Sequence, residues 1–164
     1  MIKVGIVMGS VSDYTVMEDA VQTLKQFGVS LEVKVSSAHR TLKKTIEWVE
    51  NFEKQGGMVI IAGAGLAAHL PGVIAAATTL PVIGVPIKTG ALEGVDALYA
   101  IVQMPPGIPV ATVAINGAKN AALLAIEILS LQNQALKDAL LAYRAKMQAE
   151  VITKDQELQK KINS

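Results

Sequence analysis

The chain has 164 residues, of which 15 are basic and 14 are acidic, so its formal net charge is +1. This balance argues against a nucleic-acid-binding protein and against a polybasic membrane-surface protein, since both need an excess of basic residues. Hydrophobic residues make up 51% of the chain and charged residues 18%, which excludes disorder, predicts a single domain over residues 1–164 and favours an oligomer.

Short apolar runs rich in β-branched residues alternate with longer repeats of helical spacing. In chain order the pattern predicts a strand Ile2–Met8, a helix Asp13–Phe27, a strand Leu31–Val35, a helix Leu42–Gln55, a strand Met58–Ala62, a helix Ala67–Thr79, a strand Val82–Val85, a helix Gly94–Gln103, a strand Val110–Ile115, and helices Lys119–Leu131 and Asn133–Glu150. The core is expected to end near residue 131, with a polar tail over residues 151–164.

This alternation predicts an α/β fold with a parallel sheet between two layers of helices. Five strands favour a flavodoxin-like, doubly wound three-layer αβα sandwich of strand order 2-1-3-4-5, followed by an extra C-terminal helix. The helix Lys119–Leu131 is apolar on nearly all sides. Its outer face is therefore expected to contact another subunit, the C-terminal helix, or both.

Ligands of doubly wound sheets bind beyond the carboxyl ends of the strands. Gly9, Ser10, Ser12 and Asp13 follow the first strand. The glycine permits a close approach of the backbone, the hydroxyls and helix N–H groups suit an anion, and Asp13 suits sugar hydroxyls. The alternative is a plain helix start with Ser12 or Asp13 as the N-cap.

The second strand is followed by Ser37, Ala38, His39, Arg40 and Thr41. Arginine offers forked donors to phosphate, and histidine can exchange protons near neutral pH. The alternatives are a solvated loop histidine and a Thr41 that only caps the next helix.

The third strand leads into a Gly/Ala-rich turn, Gly63–Leu70, that contains Gly65, His69 and Leu70. His69 contacts a ligand or satisfies loop carbonyls, and the residues do not decide between the two. With two histidines and no cysteine in the chain, we expect no metal site, no disulfide and a reducing compartment such as the cytoplasm. The absence of an unbroken 18-residue apolar run predicts no membrane span.

Six motifs in series resemble the N5-carboxyaminoimidazole ribonucleotide mutase family of purine biosynthesis. They are MGSVSD, SAHRT, AGAGLAAHLPG, GVP at Gly84–Pro86, VQMPPGIPVAT and AKNAALLA, spread from about Ile2 to Leu131. The resemblance implies a flavodoxin-like fold, a homo-octamer in the cytoplasm and no cofactor. It also implies functional pairing with the ATP-dependent synthetase that makes the carbamate substrate.

The implied reaction moves a carboxyl group from the exocyclic nitrogen of a ribonucleotide to ring carbon C4. By resemblance, His39 carries the proton, and Ser10 and Asp13 hold the substrate, with Asp13 on the ribose. Arg40, Ser12 and Ser37 bind phosphate, while the turn Gly63–Leu70 closes over the imidazole ring. Gly9, Ala38, Gly65, His69 and Leu70 complete the expected substrate site.

Two other functions compete with this interpretation. One is the related class II carboxylase, which uses free CO₂; it tends to carry Lys where Arg40 stands. The other is a non-enzymatic flavodoxin-like binding module. A receiver domain needs an acidic cluster after the first strand, and a flavin carrier needs aromatic walls, whereas only Tyr14 lies near.

Overall fold

The fold is built on a five-stranded parallel sheet. The computed structural model describes residues 3–163, so Ile2 of the first predicted strand lies outside the described residues. The strands are β1 (Val4–Met8), β2 (Leu31–Val35), β3 (Val59–Gly65), β4 (Val82–Ile87) and β5 (Ala111–Thr112), and their order is β2-β1-β3-β4-β5. All four neighbouring pairs are parallel, which confirms the predicted topology.

Within residues 3–163, four helices and one short turn connect the strands, and two further helices follow β5. A 3₁₀ turn at Val11–Asp13 leads into α1 (Tyr14–Gln26), followed by α2 (Leu42–Lys54), α3 (Leu70–Ala75), α4 (Val95–Val102), α5 (Ala118–Ser130) and α6 (Gln134–Ile162). None of the helices within residues 3–163 is long and apolar enough to cross a bilayer.

Helices pack closely on both faces of the sheet because glycines leave room for their side chains. A Cβ on Gly63 would lie 2.6 Å from Met17 Sδ of α1, and a Cβ on Gly5 would lie 2.9 Å from the Trp48 ring of α2. Gly63 is in register with Met8, three residues from Gly5, so the two glycines face opposite sides. The α2 side carries a continuous apolar cluster around Trp48 and Phe52, whose rings stack at 5.5 Å.

The third strand and the helix after it differ from the sequence prediction. β3 runs through Gly65 rather than ending at Ala62, since Ala64 and Gly65 continue the ladder with β4. Helix α3 begins at Leu70 rather than Ala67 and ends at Ala75 rather than Thr79. Proline fits only the first turn of a helix, so Pro71 sets this start.

The edge strand and the last helix also differ. β5 covers only Ala111–Thr112 of the predicted Val110–Ile115. Helix α6 continues to Ile162, so most of the predicted polar tail is helical. Residues 134–162 contain neither Gly nor Pro, and a polar composition by itself does not end a helix.

The chain forms two compact units that divide between Ile128 and Leu129. In the first unit, Ala121–Ile128 of α5 are all buried or half-buried. The second unit contains α6, whose N-terminus is capped by Asn133: its side-chain oxygen accepts a hydrogen bond from the Leu136 N–H at 3.2 Å. Apolar side chains are exposed along α6, including Leu141 and Val151. The single-domain organisation stays a prediction.

Candidate functional site

A cavity of about 320 Å³ lies at the carboxyl ends of β1, β2 and β3. This volume is in the usual range for small-molecule sites, about 300–1,000 Å³. The residues around it come from four strand-to-helix connections: Gly9, Ser10, Ser12, Asp13, Ser37, Ala38, His39, Arg40, Ala64, Gly65, Leu66, Ala68, Leu70 and Thr89. The strand ends that the sequence singles out therefore do meet around one space.

The first connection is a tight turn closed by its own side chains. The Asp13 carboxylate accepts a hydrogen bond from the Ser10 N–H at 2.9 Å, and Ser10 Oγ accepts one from the Ser12 N–H at 3.3 Å. Ser12 Oγ donates to Ser10 Oγ at 2.9 Å. Ser10 is the N-cap of this turn, while Asp13 stands at the N-cap position of α1, one of the two positions that the structural alternative expected, but makes no side-chain hydrogen bond to that helix. The turn presents two hydroxyls and a helix N-terminus to the cavity, a combination that suits a phosphate.

Burial raises the pKa of the Asp13 carboxyl, while hydrogen bonds from the Ser10 and Gly9 backbone N–H groups oppose that rise. The side chain is half-buried, and one oxygen is held by the turn. A carboxylate can accept about four hydrogen bonds, so the two backbone bonds leave acceptor capacity for a ligand hydroxyl. Asp13 is thus placed to accept hydrogen bonds from the hydroxyls of a polyol such as ribose.

The second connection carries His39 and Arg40, both exposed at the cavity. Arg40 is the one arginine, and no lysine stands, among the described residues that line the cavity. Its backbone N–H donates to Ser37 Oγ at 3.3 Å. Thr41 precedes α2 but makes no side-chain cap to that helix; its hydroxyl instead donates to the Ser37 carbonyl at 3.0 Å. Thr41 thus stands at the predicted N-cap position of α2, but without the side-chain hydrogen bond of a cap.

The third connection brings Gly65, Leu66 and Leu70 to the cavity. Leu66 has a φ of 55°, an unusual conformation for a bulky residue. Its side chain lies over Gly90 of the β4–α4 connection, where an added Cβ would stand 2.7 Å from Leu66 Cδ2. The Gly/Ala-rich turn therefore packs against the β4–α4 connection through Leu66 and Gly90.

His69 belongs to the same turn, but its ring is not among the residues that line the cavity. Its Nε2 lies 3.0 Å from Met104 Sδ, and the ring covers Gly72. Nδ1 is buried with no hydrogen-bond partner among residues 3–163, and burial lowers the pKa of this histidine. A direct contact between His69 and a ligand stays a prediction.

Sequence reasoning missed one lining residue. Thr89 follows β4, which neighbours β3 in the sheet. The rule that strand ends converge could have found it, but the segment after β4 offered only a lysine, a threonine and a glutamate among small and apolar residues. Ala64, Leu66 and Ala68 lie within the turn that the sequence did predict.

The side chains around the cavity suit an anionic sugar ligand. Within residues 3–163, no group of three His, Asp or Glu side chains is placed to hold a metal ion. The lining instead combines one guanidinium, one imidazole, one carboxylate and four hydroxyls. These groups can bind phosphate, bind a polyol and move a proton.

Comparisons with known proteins agree with this chemistry. Residues 3–150 match the model of the AIR carboxylase family. The chain is 60% identical to the N5-carboxyaminoimidazole ribonucleotide mutase of Pyrococcus abyssi, over 90% of this chain and 84% of that protein. It is 52% identical to the enzyme of the same name from Thermotoga maritima, over 97% and 93%. The crystal structure of Treponema denticola PurE superposes with a TM-score of 0.89 at 30% identity, covering 96% of this chain and 99% of that one. The chain therefore belongs to the AIR carboxylase family.

Proposed function

We propose that this chain is an isomerase that interconverts N5-carboxyaminoimidazole ribonucleotide and 4-carboxy-5-aminoimidazole ribonucleotide in purine biosynthesis. The observation that carries this function is the meeting of His39, Arg40, Ser10 and Asp13 around one cavity. Relatives with the mutase name, at 52–60% identity over at least 90% of this chain, support the same reaction.

Each lining residue receives a role from its chemistry and place. Arg40, Ser12 and Ser37 bind the phosphate, and Ser10 with the helix N-terminus adds further donors. Asp13 accepts hydrogen bonds from the ribose hydroxyls. Gly9, Ala38, Gly65 and Leu70 leave room for the flat imidazole ring and shield it from water, and His69 is retained as a predicted substrate contact.

The reaction needs one group that first gives and then accepts a proton. Protonated His39 donates its proton to the carbamate nitrogen as the bond from nitrogen to the carboxyl carbon breaks, which releases CO₂. Ring carbon C4 then attacks that CO₂, and neutral His39 removes the C4 proton, so His39 ends as it began. Such acid–base catalysis is typically worth about 10²–10⁴-fold in rate.

Released CO₂ must stay in the site until it recombines with C4. His39 and Arg40 are exposed in the single chain, so a second copy of the chain or movement of the Gly63–Leu70 turn has to cover them. A homo-octamer is the assembly that we propose, in line with the family resemblance. An ATP-dependent synthetase in the cytoplasm would supply the unstable carbamate.

Two parallel assays test the proposed function. Purified protein is given either the carbamate ribonucleotide or aminoimidazole ribonucleotide with bicarbonate, and formation of the C4 carboxylate is followed. We expect faster turnover of the carbamate at equal concentrations. Faster turnover of aminoimidazole ribonucleotide with bicarbonate would instead identify a carboxylase that uses free CO₂. No turnover in either assay would leave a binding module, and a colourless protein would argue against a flavin carrier.

A further inference from the structure

A cluster of hydroxyl groups lies beneath the turn that carries His39 and Arg40. Its members are Ser36, Thr41 and Thr45, none of which lines the cavity. Ser36 is 5% exposed and Thr45 is 1% exposed. Ser36 Oγ lies 2.7 Å from Thr45 Oγ1 and 3.3 Å from Thr41 Oγ1, so the three hydroxyls form a continuous chain from α2 to the turn.

The number of hydroxyl protons decides which group donates in each of these hydrogen bonds. Each hydroxyl has one proton to donate. Thr41 Oγ1 donates to the Ser37 carbonyl at 3.0 Å, so the proton between Ser36 and Thr41 comes from Ser36. Ser36 Oγ then accepts from Thr45. The Thr45 hydroxyl also lies 3.2 Å from the Thr41 carbonyl, but its 2.7 Å contact with Ser36 Oγ is the shorter of the two. The donors therefore follow the order Thr45, Ser36 and Thr41, and the Ser37 carbonyl is the last acceptor.

Thr41, the last of the three linked hydroxyls, hydrogen-bonds to both the N–H and the carbonyl of Ser37. Besides donating to the Ser37 carbonyl, Thr41 Oγ1 accepts a hydrogen bond from the Ser37 N–H at 3.0 Å. The Thr41 N–H also donates to the Ser37 carbonyl at 2.8 Å, and the Arg40 N–H donates to Ser37 Oγ at 3.3 Å. The four-residue stretch from Ser37 to Arg40 is therefore closed into a loop of fixed width. His39 lies inside this loop, and no hydrogen bond to another residue of 3–163 sets its position.

We propose that Thr45 and Ser36 are positioning residues: through Thr41 they hold the His39–Arg40 turn in the geometry that the reaction requires. This inference rests on the proposed function of His39. A rigid shell matters because displacement of a catalytic group by about 1 Å can cost about 10²-fold in rate. Removal of the Thr45 hydroxyl also takes away the closer hydrogen-bond partner of the buried Ser36 hydroxyl.

Replacing Thr45 by valine and by serine separates the hydroxyl from the shape of the side chain. Thr45→Val keeps the volume and removes the hydroxyl, and we expect kcat to fall about 10-fold to 100-fold. We expect a smaller change in KM, because the Ser10–Asp13 turn still binds the substrate. Thr45→Ser keeps the hydroxyl and should restore kcat to within about twofold. Wild-type kcat in Thr45→Val, or failure of Thr45→Ser to restore it, would overturn the proposal.

Thr23 offers a matched control in α1. It is also a buried helical threonine, 5% exposed, and its hydroxyl donates to the carbonyl four residues earlier, at Asp19, as Thr45 can to Thr41. Thr23→Val makes the same chemical change far from the cavity lining. We expect a similar shift of the urea midpoint in the two valine variants and a loss of kcat only in Thr45→Val. An equal loss of kcat in Thr23→Val would reduce the effect to general destabilisation and overturn the proposal.

Hydrogen exchange tests the positioning without turnover. In the full chain, the amides of Ser37, Arg40 and Thr41 should exchange about tenfold faster in Thr45→Val than in wild type and at the wild-type rate in Thr45→Ser. Unchanged exchange in Thr45→Val overturns the proposal whatever the activity. Failure of the proposed function would be recognised by a different result: the wild-type protein would not turn over the carbamate ribonucleotide.

Discussion

The two histidines of the chain follow β2 and β3, the strands on either side of β1, yet their surroundings are opposite. His39 is exposed at the cavity on a turn held by hydroxyl groups. His69 is half-buried, with its ring against Gly72 and Met104. A histidine at a strand end therefore becomes part of the cavity only where the local backbone turns its ring toward the open side. In this chain only the turn after β2 meets that condition.

Replacement of the two histidines gives the largest expected contrast. His39→Asn removes the proton carrier and keeps a polar side chain of similar size, so we expect kcat to fall about 10²–10⁴-fold with substrate affinity nearly unchanged. His69→Asn should reduce stability more than kcat. Steady-state kinetics and urea unfolding of both variants provide the measurement.

Two results would break this comparison. Near wild-type turnover in His39→Asn would remove His39 from the proposed mechanism. A large loss of substrate affinity in His69→Asn, with unchanged stability, would show that the ring enters the cavity when substrate binds.

Arg40 adds to the difference between the turns after β2 and β3, because among the described residues only the turn after β2 brings an arginine to the cavity. Arg40→Ala should weaken binding of the ribonucleotide by about 1.5–3 kcal/mol, or roughly 10- to 150-fold, because a charge-assisted phosphate contact is lost. Lys43→Ala is the control: it removes a nearby exposed positive charge that does not line the cavity. Calorimetric titration should show a much smaller effect for Lys43→Ala. Equal effects of the two substitutions would mean that overall positive charge, and not a direct contact with the Arg40 guanidinium, accounts for phosphate binding.

Features that depend on the order of strands and helices could be predicted from the sequence, whereas contacts between particular side chains could not. Strand order and the shared edge of the strand ends depend on the alternation of elements along the chain, so they could be predicted. The His69 ring lies in the room that Gly72 leaves, a contact that a pattern of residue types does not reveal. Thr89 was missed because its neighbours carry no obvious chemistry.

The length of α6 shows another limit. Residues 151–162 are polar enough to suggest a tail, yet the helix continues through them. A solvated helix and a polar tail have the same composition, and only the absence of Gly and Pro separates them.

Gly72 allows the packing of His69 to be tested directly. An added Cβ there would collide with the imidazole ring. Overpacking typically costs about 1–3 kcal/mol, and an alanine in a helix returns about 1 kcal/mol, so Gly72→Ala should lose up to about 2 kcal/mol of unfolding free energy. In a His69→Ala background the collision disappears, and Gly72→Ala should become stabilising. Urea unfolding of the four proteins measures this reversal, and a constant effect of Gly72→Ala would contradict the packing.

The smallest expected effect concerns burial, which acts in opposite directions on the pKa of Asp13, at the cavity, and on that of His69, outside the cavity lining. Burial lowers the pKa of His69 and raises that of Asp13. The folded state thus favours a protonated Asp13, so the contribution of Asp13 to wild-type stability falls as pH rises from the ordinary aspartate value through the raised pKa. Asp13→Asn cannot ionise, and its side-chain oxygen can still accept the Ser10 N–H. Its stability relative to wild type should therefore increase with pH over that window. Urea unfolding at several pH values would contradict the cause if that difference stayed constant or decreased.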